Sequence, residues 1–221
     1  MIYCMSDIHG EYDRFQSMLK LIQFSSEDTI YIIGDVIDRH PNGVDILQDI
    51  IATPNIKMIL GNHEDMCLKT LGRFHQIGAR DLWKSNGGSS TYRDLVYHHT
   101  EIGKKQILDF LELLPTHLQI EIGERKFELV HGWPANNDDD RIWARPGDLP
   151  MCLPDGVIPI IGHTPTSYLE YDDGESPLQI KKIKYEQYDR EFIAIDCGCG
   201  NKTSRRRLAC LRLDDMHEFY V

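Results

Sequence analysis

The stretch IYIIGDVIDRH, residues 30–40, is apolar for its first four residues and then turns abruptly into Gly34, Asp35, Asp38 and Arg39. A short apolar run that stops at a glycine reads as a buried β-strand followed by a turn. A strand that only packed would need no pair of acids and a guanidinium at its end. The same shape recurs in MIYCMSDIHG (1–10), IKMILGNHED (56–65), KFELVHGWP (126–134) and VIPIIGHTP (157–165), where each apolar run ends in Asp, Asn or His.

Between the first runs the spacing changes to that of a helix. Phe15, Met18, Leu19 and Ile22 fall at i, i+3, i+4 and i+7, and Val44, Leu47, Ile50 and Ile51 do nearly the same. The N-terminal third therefore reads β-α-β-α-β. A further amphipathic helix is expected over 104–114, with Ile107, Leu108, Leu111 and Leu114 on one face and Pro115 ending it. Beyond it, strands are expected at 126–130, 157–161, 192–196 and 207–213, with a hairpin about YDDGESP (171–177), where Asp-Gly supplies turn chemistry. This order implies an α/β (α+β) fold, a central β-sandwich of two mixed sheets flanked by helices, in a single domain over 1–221. The direction of the strands in the second half is not set by pattern.

The formal charge of −11, from 24 basic and 35 acidic residues, argues against non-specific nucleic-acid binding and against an anionic membrane surface, and leaves carboxylates for cations. Met1 leads straight into a strand-like run, and no apolar segment reaches the roughly 18 residues of a membrane span. A soluble, cytoplasmic protein is the expectation. Six cysteines lack paired CxxC spacing, so neither a disulfide framework nor a thiolate zinc site is indicated.

In open α/β architectures the residues just beyond the carboxyl ends of neighbouring strands converge on one crevice. Five such strand ends would deliver Asp7 and His9; Asp35, Asp38 and Arg39; Asn62, His63 and Glu64; His131; and His163. Carboxylate and amide oxygens mixed with imidazole suit divalent Mn, Fe or Zn. Six candidate ligands exceed one tetrahedral site and suit two metals about 3.5–4 Å apart that share a carboxylate. Any one of these positions alone would read as a helix cap or a turn residue, and His40, His75, His98, His99, His117 and His217 keep that reading. Joint placement decides for the others, because capping gives no reason for Asp7, Asp35 and Asn62 to head similar motifs 28 and 27 residues apart.

Together DIHG (7–10), GDVIDR (34–39), GNHE (61–64), HG (131–132) and GHTP (162–165) resemble the calcineurin-like metallophosphoesterases. Within them the chain is most similar to the phosphoprotein phosphatase branch, and in it to the lambda-type serine/threonine protein phosphatases of bacteria and phage. NGGSST (86–91) after Trp83 and IWAR (142–145) resemble segments of the same enzymes. The resemblance implies one metal held by Asp7, His9 and Asp35 and a second by Asp35, Asn62, His131 and His163, with Asp35 bridging. It makes His63 the general acid, Asp38 the partner that orients and charges it, and Arg39 and Arg145 the phosphate clamps. The activity implied is hydrolysis of phosphoserine and phosphothreonine in proteins or peptides, with phosphotyrosine open. It would proceed by direct attack of a metal-bridging hydroxide, with Mn the expected ion and Fe or Zn as alternatives. Phosphorylated proteins or peptides are the partners expected; a monomer fits, and the oligomeric state is not set by the sequence.

Two further readings compete. One is a dinucleoside polyphosphate or nucleotide hydrolase on the same scaffold; the other, a silent phosphate-binding module, would require a lost ligand or acid, and none is lost. His40 departs from the glycine that many relatives carry after the Asp-Arg pair, and this bears on substrate choice. RRR (205–207) reads as a solvated basic turn, and DCGCG (196–200) as a tight turn in preference to a metal site.

Overall fold

The computed structural model describes residues 1–169, 172–185 and 190–221. Its first third alternates as the periodicity requires: β1 (Ile2–Met5), α1 (Tyr12–Leu21), β2 (Thr29–Ile33), α2 (Gly43–Ala52), β3 (Ile56–Ile59) and α3 (Asn62–Leu71). A helical segment follows, with α4 (Ala79–Ser85), α5 (Ser89–Arg93), a π-helical turn over Asp94–His98, and α6 (Glu101–Glu112). The remainder holds β4 (His117–Ile122), β5 (Arg125–Val130), α7 (Asp138–Trp143), β6 (Val157–Ile161), a 3-10 turn over Thr166–Tyr168, β7 (Lys181–Tyr185), β8 (Arg190–Ala194), β9 (Ala209–Arg212) and β10 (His217–Tyr220).

Among the described residues the strands form two five-stranded mixed sheets, in the orders β10-β9-β1-β2-β3 and β4-β5-β6-β8-β7. β1, β2 and β3 run parallel, as do β5, β6 and β8, while β9 joins β1 antiparallel with β10 beyond it and β4 and β7 are antiparallel edge strands. The two-residue alternation of each strand decides which layer receives a side chain. Tyr3, Met5, Ile30 and Ile32 turn outward against Phe15, Met18, Val44, Leu47 and Ile50 of α1 and α2. Cys4 and Ile33 turn inward, where with Ile59 they meet Phe127, Leu129, Ile160 and Ile193 between the sheets. The second sheet's outer face carries Trp133 edge-on to Phe192, with ring centroids 5.2 Å apart. Among the described residues no helix is long and apolar enough to cross a membrane.

Several details differ from the expectations. α6 begins at Glu101 and not at 104, because Thr100 caps it by accepting a hydrogen bond from the Gly103 N–H at 3.1 Å. Tyr171 lies outside the described residues, and among the described ones Gly174 to Ser176 form bends, with no strand between Asp172 and β7 at Lys181. Their turn chemistry is real, since Asp173 Oδ1 accepts from the N–H groups of Glu175 and Ser176 at 2.8 Å. Arg205, however, binds the Asp172 carboxylate and draws the segment away from a ladder. The antiparallel pair forms instead between β7 and β8.

Candidate active site

Six strands of the two sheets deliver polar residues just past their carboxyl ends. Asp7 and His9 follow β1, Asp35 follows β2, Asn62 follows β3, His131 follows β5, His163 follows β6 and Asp196 follows β8. The loops after β1 and β2 lock together beyond the sheet, with Asp7, His9 and Gly10 N–H groups donating to Gly34, Asp35 and Val36 carbonyls at 3.2, 3.0 and 2.8 Å. The backbone there is strained. Asp7, His9, Asp35, Asp38, Arg39 and His163 all have φ between 50 and 73°, a left-handed region costly for residues with a side chain and kept only where the surroundings enforce it.

Glu64 is one enforcer. Its buried carboxylate accepts from the backbone N–H groups of Asp35 (2.8 Å), Val36 (2.9 Å), Ile37 (3.2 Å) and Gly61 (3.1 Å), so one side chain of α3 clamps the loop after β2. Burial and the Asp35 carboxylate push Glu64 up to about 7, against the pull of those donors. Glu64→Gln would turn an amide N–H toward groups that can only donate. A stability loss of about 1–3 kcal/mol is expected from the stranded donors, with Mn affinity lowered roughly 10- to 100-fold as the loop loosens. Denaturant unfolding and metal titration measure the two.

The imidazoles divide into two kinds. His9 Nδ1 faces the Ile37 carbonyl at 2.9 Å and His131 Nδ1 faces the Ile33 carbonyl at 2.8 Å. Each ring thus gives its Nδ1 proton to the backbone and turns the Nε2 lone pair into the site, the arrangement of a metal-ligating histidine. His63 differs: its Nδ1 donates to Asp38 Oδ2 at 2.7 Å, and the same oxygen accepts from Trp83 Nε1 at 2.6 Å. Burial works against the His63 imidazolium, but Asp35 and the Asp38 hydrogen bond outweigh it and raise its pKa. His9 is held neutral by burial and by His63 and Arg39 nearby, and burial with the His131 charge lowers His163 to about 3. On His131 burial also works against the charge, but Asp35 beside Nε2 outweighs it and raises the ring to about 10, a proton that a divalent ion would displace from that nitrogen.

Two clusters of candidate ligand atoms share Asp35. His9, Asp35 and His63 form one and Asp35, His131 and His163 the other, with the atoms of each within 4.8 Å of one another. Asp35 Oδ1 lies 3.2 Å from His131 Nε2, and Oδ2 lies 3.6 Å from His9 Nε2. Asp7 Oδ1 stands 3.9 Å from His9 Nε2. Two observations show that these atoms suit cations. Among the described residues His9 Nε2 is buried without a hydrogen-bond partner, and the Asn62 amide lies between His131 Nε2 at 3.0 Å and His163 Nδ1 at 3.1 Å. Converging lone pairs of carboxylate, amide and neutral imidazole are what a divalent ion requires.

Arg39 and Arg145 are exposed at the mouth, Arg39 Nη2 3.4 Å from His63 Nε2 and Arg145 Nη1 3.4 Å from Thr164 Oγ1. None of His40, His75, His98, His99, His117 and His217 belongs to either cluster. His40 pairs instead with Glu11, at 3.1 Å.

The calcineurin-like phosphoesterase family model matches residues 1–193. The chain belongs to that family. Serine/threonine-protein phosphatase 2 of Escherichia coli (strain K12) is 29% identical over 134 residues, 59% of this chain and 57% of its own length. The symmetrical bis(5'-nucleosyl)-tetraphosphatase of Wigglesworthia glossinidia brevipalpis is 41% identical over 81 residues, 36% of this chain and 30% of its own. The matched part thus spans less than two thirds of either relative. A solved candidate diadenosine tetraphosphatase superposes with a TM-score of 0.61 at 19% identity, over 100% of this chain and 92% of that one. The two mixed sheets with flanking helices are the calcineurin-like α/β fold, and the family's dinuclear divalent centre matches the paired clusters about Asp35.

Three features of this calcineurin-like site were not read from the sequence. Asp196 is buried behind Asp7, its Oδ1 held by the Gly198 N–H at 2.8 Å, and after burial it is the main influence raising the Asp7 carboxyl. FIAID repeats the shape of the other strand ends, so the signal was present. Gly200 packs directly on the His9 ring, where any Cβ would collide, which accounts for the last glycine of DCGCG. The three arginines of 205–207 are not a solvated turn. Arg205 holds Asp172, Arg206 holds Glu11 and the Cys199 carbonyl, and Arg207 donates to the Leu178 carbonyl at 2.7 Å.

Proposed function

We propose that the chain is a metal-dependent phosphoprotein phosphatase that hydrolyses phosphoserine and phosphothreonine, with water attacking phosphorus directly and no covalent phospho-enzyme. The observation that carries this is the Trp83–Asp38–His63 chain, with both donors on one Asp38 oxygen at 2.6 and 2.7 Å. A serine or threonine alkoxide is a poor leaving group and needs a proton in the transition state. A polyphosphate leaves as a stable anion at neutral pH and gains little from an acid. A dedicated, buried imidazolium therefore favours phosphomonoesters of alcohols over dinucleoside polyphosphates. The longer alignment to a protein phosphatase, 59% of the chain against 36%, points the same way.

In this reading Asp7, His9 and Asp35 would hold one ion, and Asp35, Asn62, His131 and His163 the other. His63 stays out of the first set because its Nδ1 is committed to Asp38 and its Nε2 lies beside the Arg39 guanidinium. Two divalent ions, Mn foremost, would lower the pKa of the attacking water and share the phosphate's charge. Arg39 and Arg145 bind the non-bridging oxygens through rigid forks of donors, and His63 passes its proton to the departing oxygen.

Initial rates on phosphoserine, phosphothreonine and phosphotyrosine peptides and on diadenosine tetraphosphate test the reading. Chelated protein is expected to be inactive, Mn to restore the highest rate, Zn to bind with lower turnover, and the serine and threonine peptides to be preferred. Faster cleavage of diadenosine tetraphosphate than of every peptide would install the tetraphosphatase reading, which the 41% identical segment favours.

A further inference from the structure

Beside Arg39 the surface opens into a cavity of about 390 Å³ walled by α4, α5 and the π-helical turn. Arg80 and Lys84 stand one turn apart on α4, so they share a face, and Arg93 closes α5 opposite them. All three are exposed, and among the described residues none is ion-paired to a carboxylate. Most other arginines are engaged: Arg205 by Asp172, Arg206 by Glu11 and Arg212 by Asp215. In a chain of net charge −11, three unpaired cations facing one acid, Asp81, make a local reversal of sign.

The cavity shares its wall with the catalytic groups. Trp83 lines it and also donates to Asp38. Gly87, just past α4, donates to the Lys84 carbonyl and accepts from the Arg39 N–H, both at 3.2 Å. The rings present do not form a slot for a nucleobase. Trp83 meets Tyr92 at 75° and Tyr92 meets Tyr97 at 77°, both edge to face, and the Arg80 guanidinium covers the Tyr92 face at 4.2 Å. Charge is what the cavity has left to recognise with.

We infer that this cavity is a docking subsite for acidic side chains flanking the phosphorylated residue of a protein substrate, an inference that rests on the phosphoprotein phosphatase reading above. An extended peptide advances about 3.4 Å per residue. With its phosphate held at Arg39, acidic residues along the same peptide would reach Lys84, Arg80 and Arg93. Solvent-exposed pairs are individually weak, so two or three of them together amount to about tenfold in affinity, and the gain falls as salt rises.

The test compares kcat/KM for one phosphothreonine peptide with Asp and Glu flanks, the same peptide with Gln and Asn flanks, and p-nitrophenyl phosphate, in the Mn-loaded full chain. The native protein is expected to favour the acidic peptide about tenfold, through KM. Arg80→Glu/Lys84→Glu should bring that ratio to one or below, Arg80→Gln/Lys84→Gln to an intermediate value, and neither should change the rate on p-nitrophenyl phosphate, which also reports folding. Equal rates on both peptides in the native protein overturn the docking subsite while leaving the phosphatase reading intact. So does a preference that survives charge reversal. Hydrolysis of p-nitrophenyl phosphate with no turnover of either peptide overturns the phosphatase reading, and the subsite with it.

Discussion

Asp35→Asn is expected to lower phosphoesterase activity by about 10³-fold or more, as removal of several kcal/mol of charge stabilisation from the transition state requires, and to lose both metals together. Asp35 is the one residue common to the two ligand clusters. Burial opposes its ionisation, yet His131, His63 and His9 surround it and hold the carboxyl well below the usual carboxylate range. The surrounding imidazoles thus favour its charged form. An amide would keep the size and one oxygen but remove the negative charge that Asp35 would place between two bound dications, where it would screen their repulsion. Asp7→Asn touches only the first of the two proposed ligand sets and should cost less. Elemental analysis checks the assignment independently of turnover: two metals per chain in Asp35→Asn with near-normal rates would remove Asp35 from the bridging position.

Much of this architecture was legible because the physics behind it is local. A run such as IYII is buried on both faces in a parallel sheet, and the helices between the first strands show one apolar face each, so β1 to α3 could be read in order. β4, β7 and β10 were missed for the opposite reason. They are edge strands, and HLQIEI of β4 is only half-buried with polar residues interspersed. α4, α5 and the π-helical turn carry no sustained apolar period; what holds them is a set of tertiary contacts, such as Trp83 to Asp38 and Thr91 to the Asp38 N–H at 3.0 Å, which a sequence does not announce.

The site divides along the same line. Residues that follow a strand end were readable as a convergent set, and the geometry brings Asp7, His9, Asp35, Asn62, His131 and His163 together. Residues that act through another were readable only where the family resemblance supplied them, as for Asp38. Glu64 looked like one more acid of GNHE until its carboxylate was seen to hold four backbone N–H groups. Trp83 marked a motif without a role until its indole was found on the oxygen that holds His63. Asp196 ends a strand like the others, yet the adjacent cysteines and glycines drew attention to the turn. A pattern along one chain shows which residue types a site receives; which of them supports another depends on distances between segments tens of residues apart.

His63→Asn is expected to leave metal content unchanged and to lower kcat on alkyl phosphates by roughly 10²- to 10⁴-fold, the range of general acid catalysis. The ring is 1% exposed, one nitrogen is bound by Asp38, and the other opens toward Arg39 and Asp35. With p-nitrophenyl phosphate, whose leaving group departs without a proton, the loss should shrink to a small factor. Asp38→Asn and Trp83→Phe should show the same dependence on leaving group in weaker form. The first removes the charge that stabilises the imidazolium; the second frees an oxygen that now accepts two hydrogen bonds and lets the carboxylate turn. The raised pKa of His63 gives a sign to the pH profile. The acid is protonated below that pKa, so the rate on alkyl phosphates should fall as pH rises through it, while the rate on p-nitrophenyl phosphate should not follow the same limb. If His63 were instead a ligand or a packing residue, His63→Asn would lose metal or stability and slow both substrates equally. A uniform loss of that kind, measured beside metal content, would remove His63 as the acid and with it the argument for an alcohol leaving group.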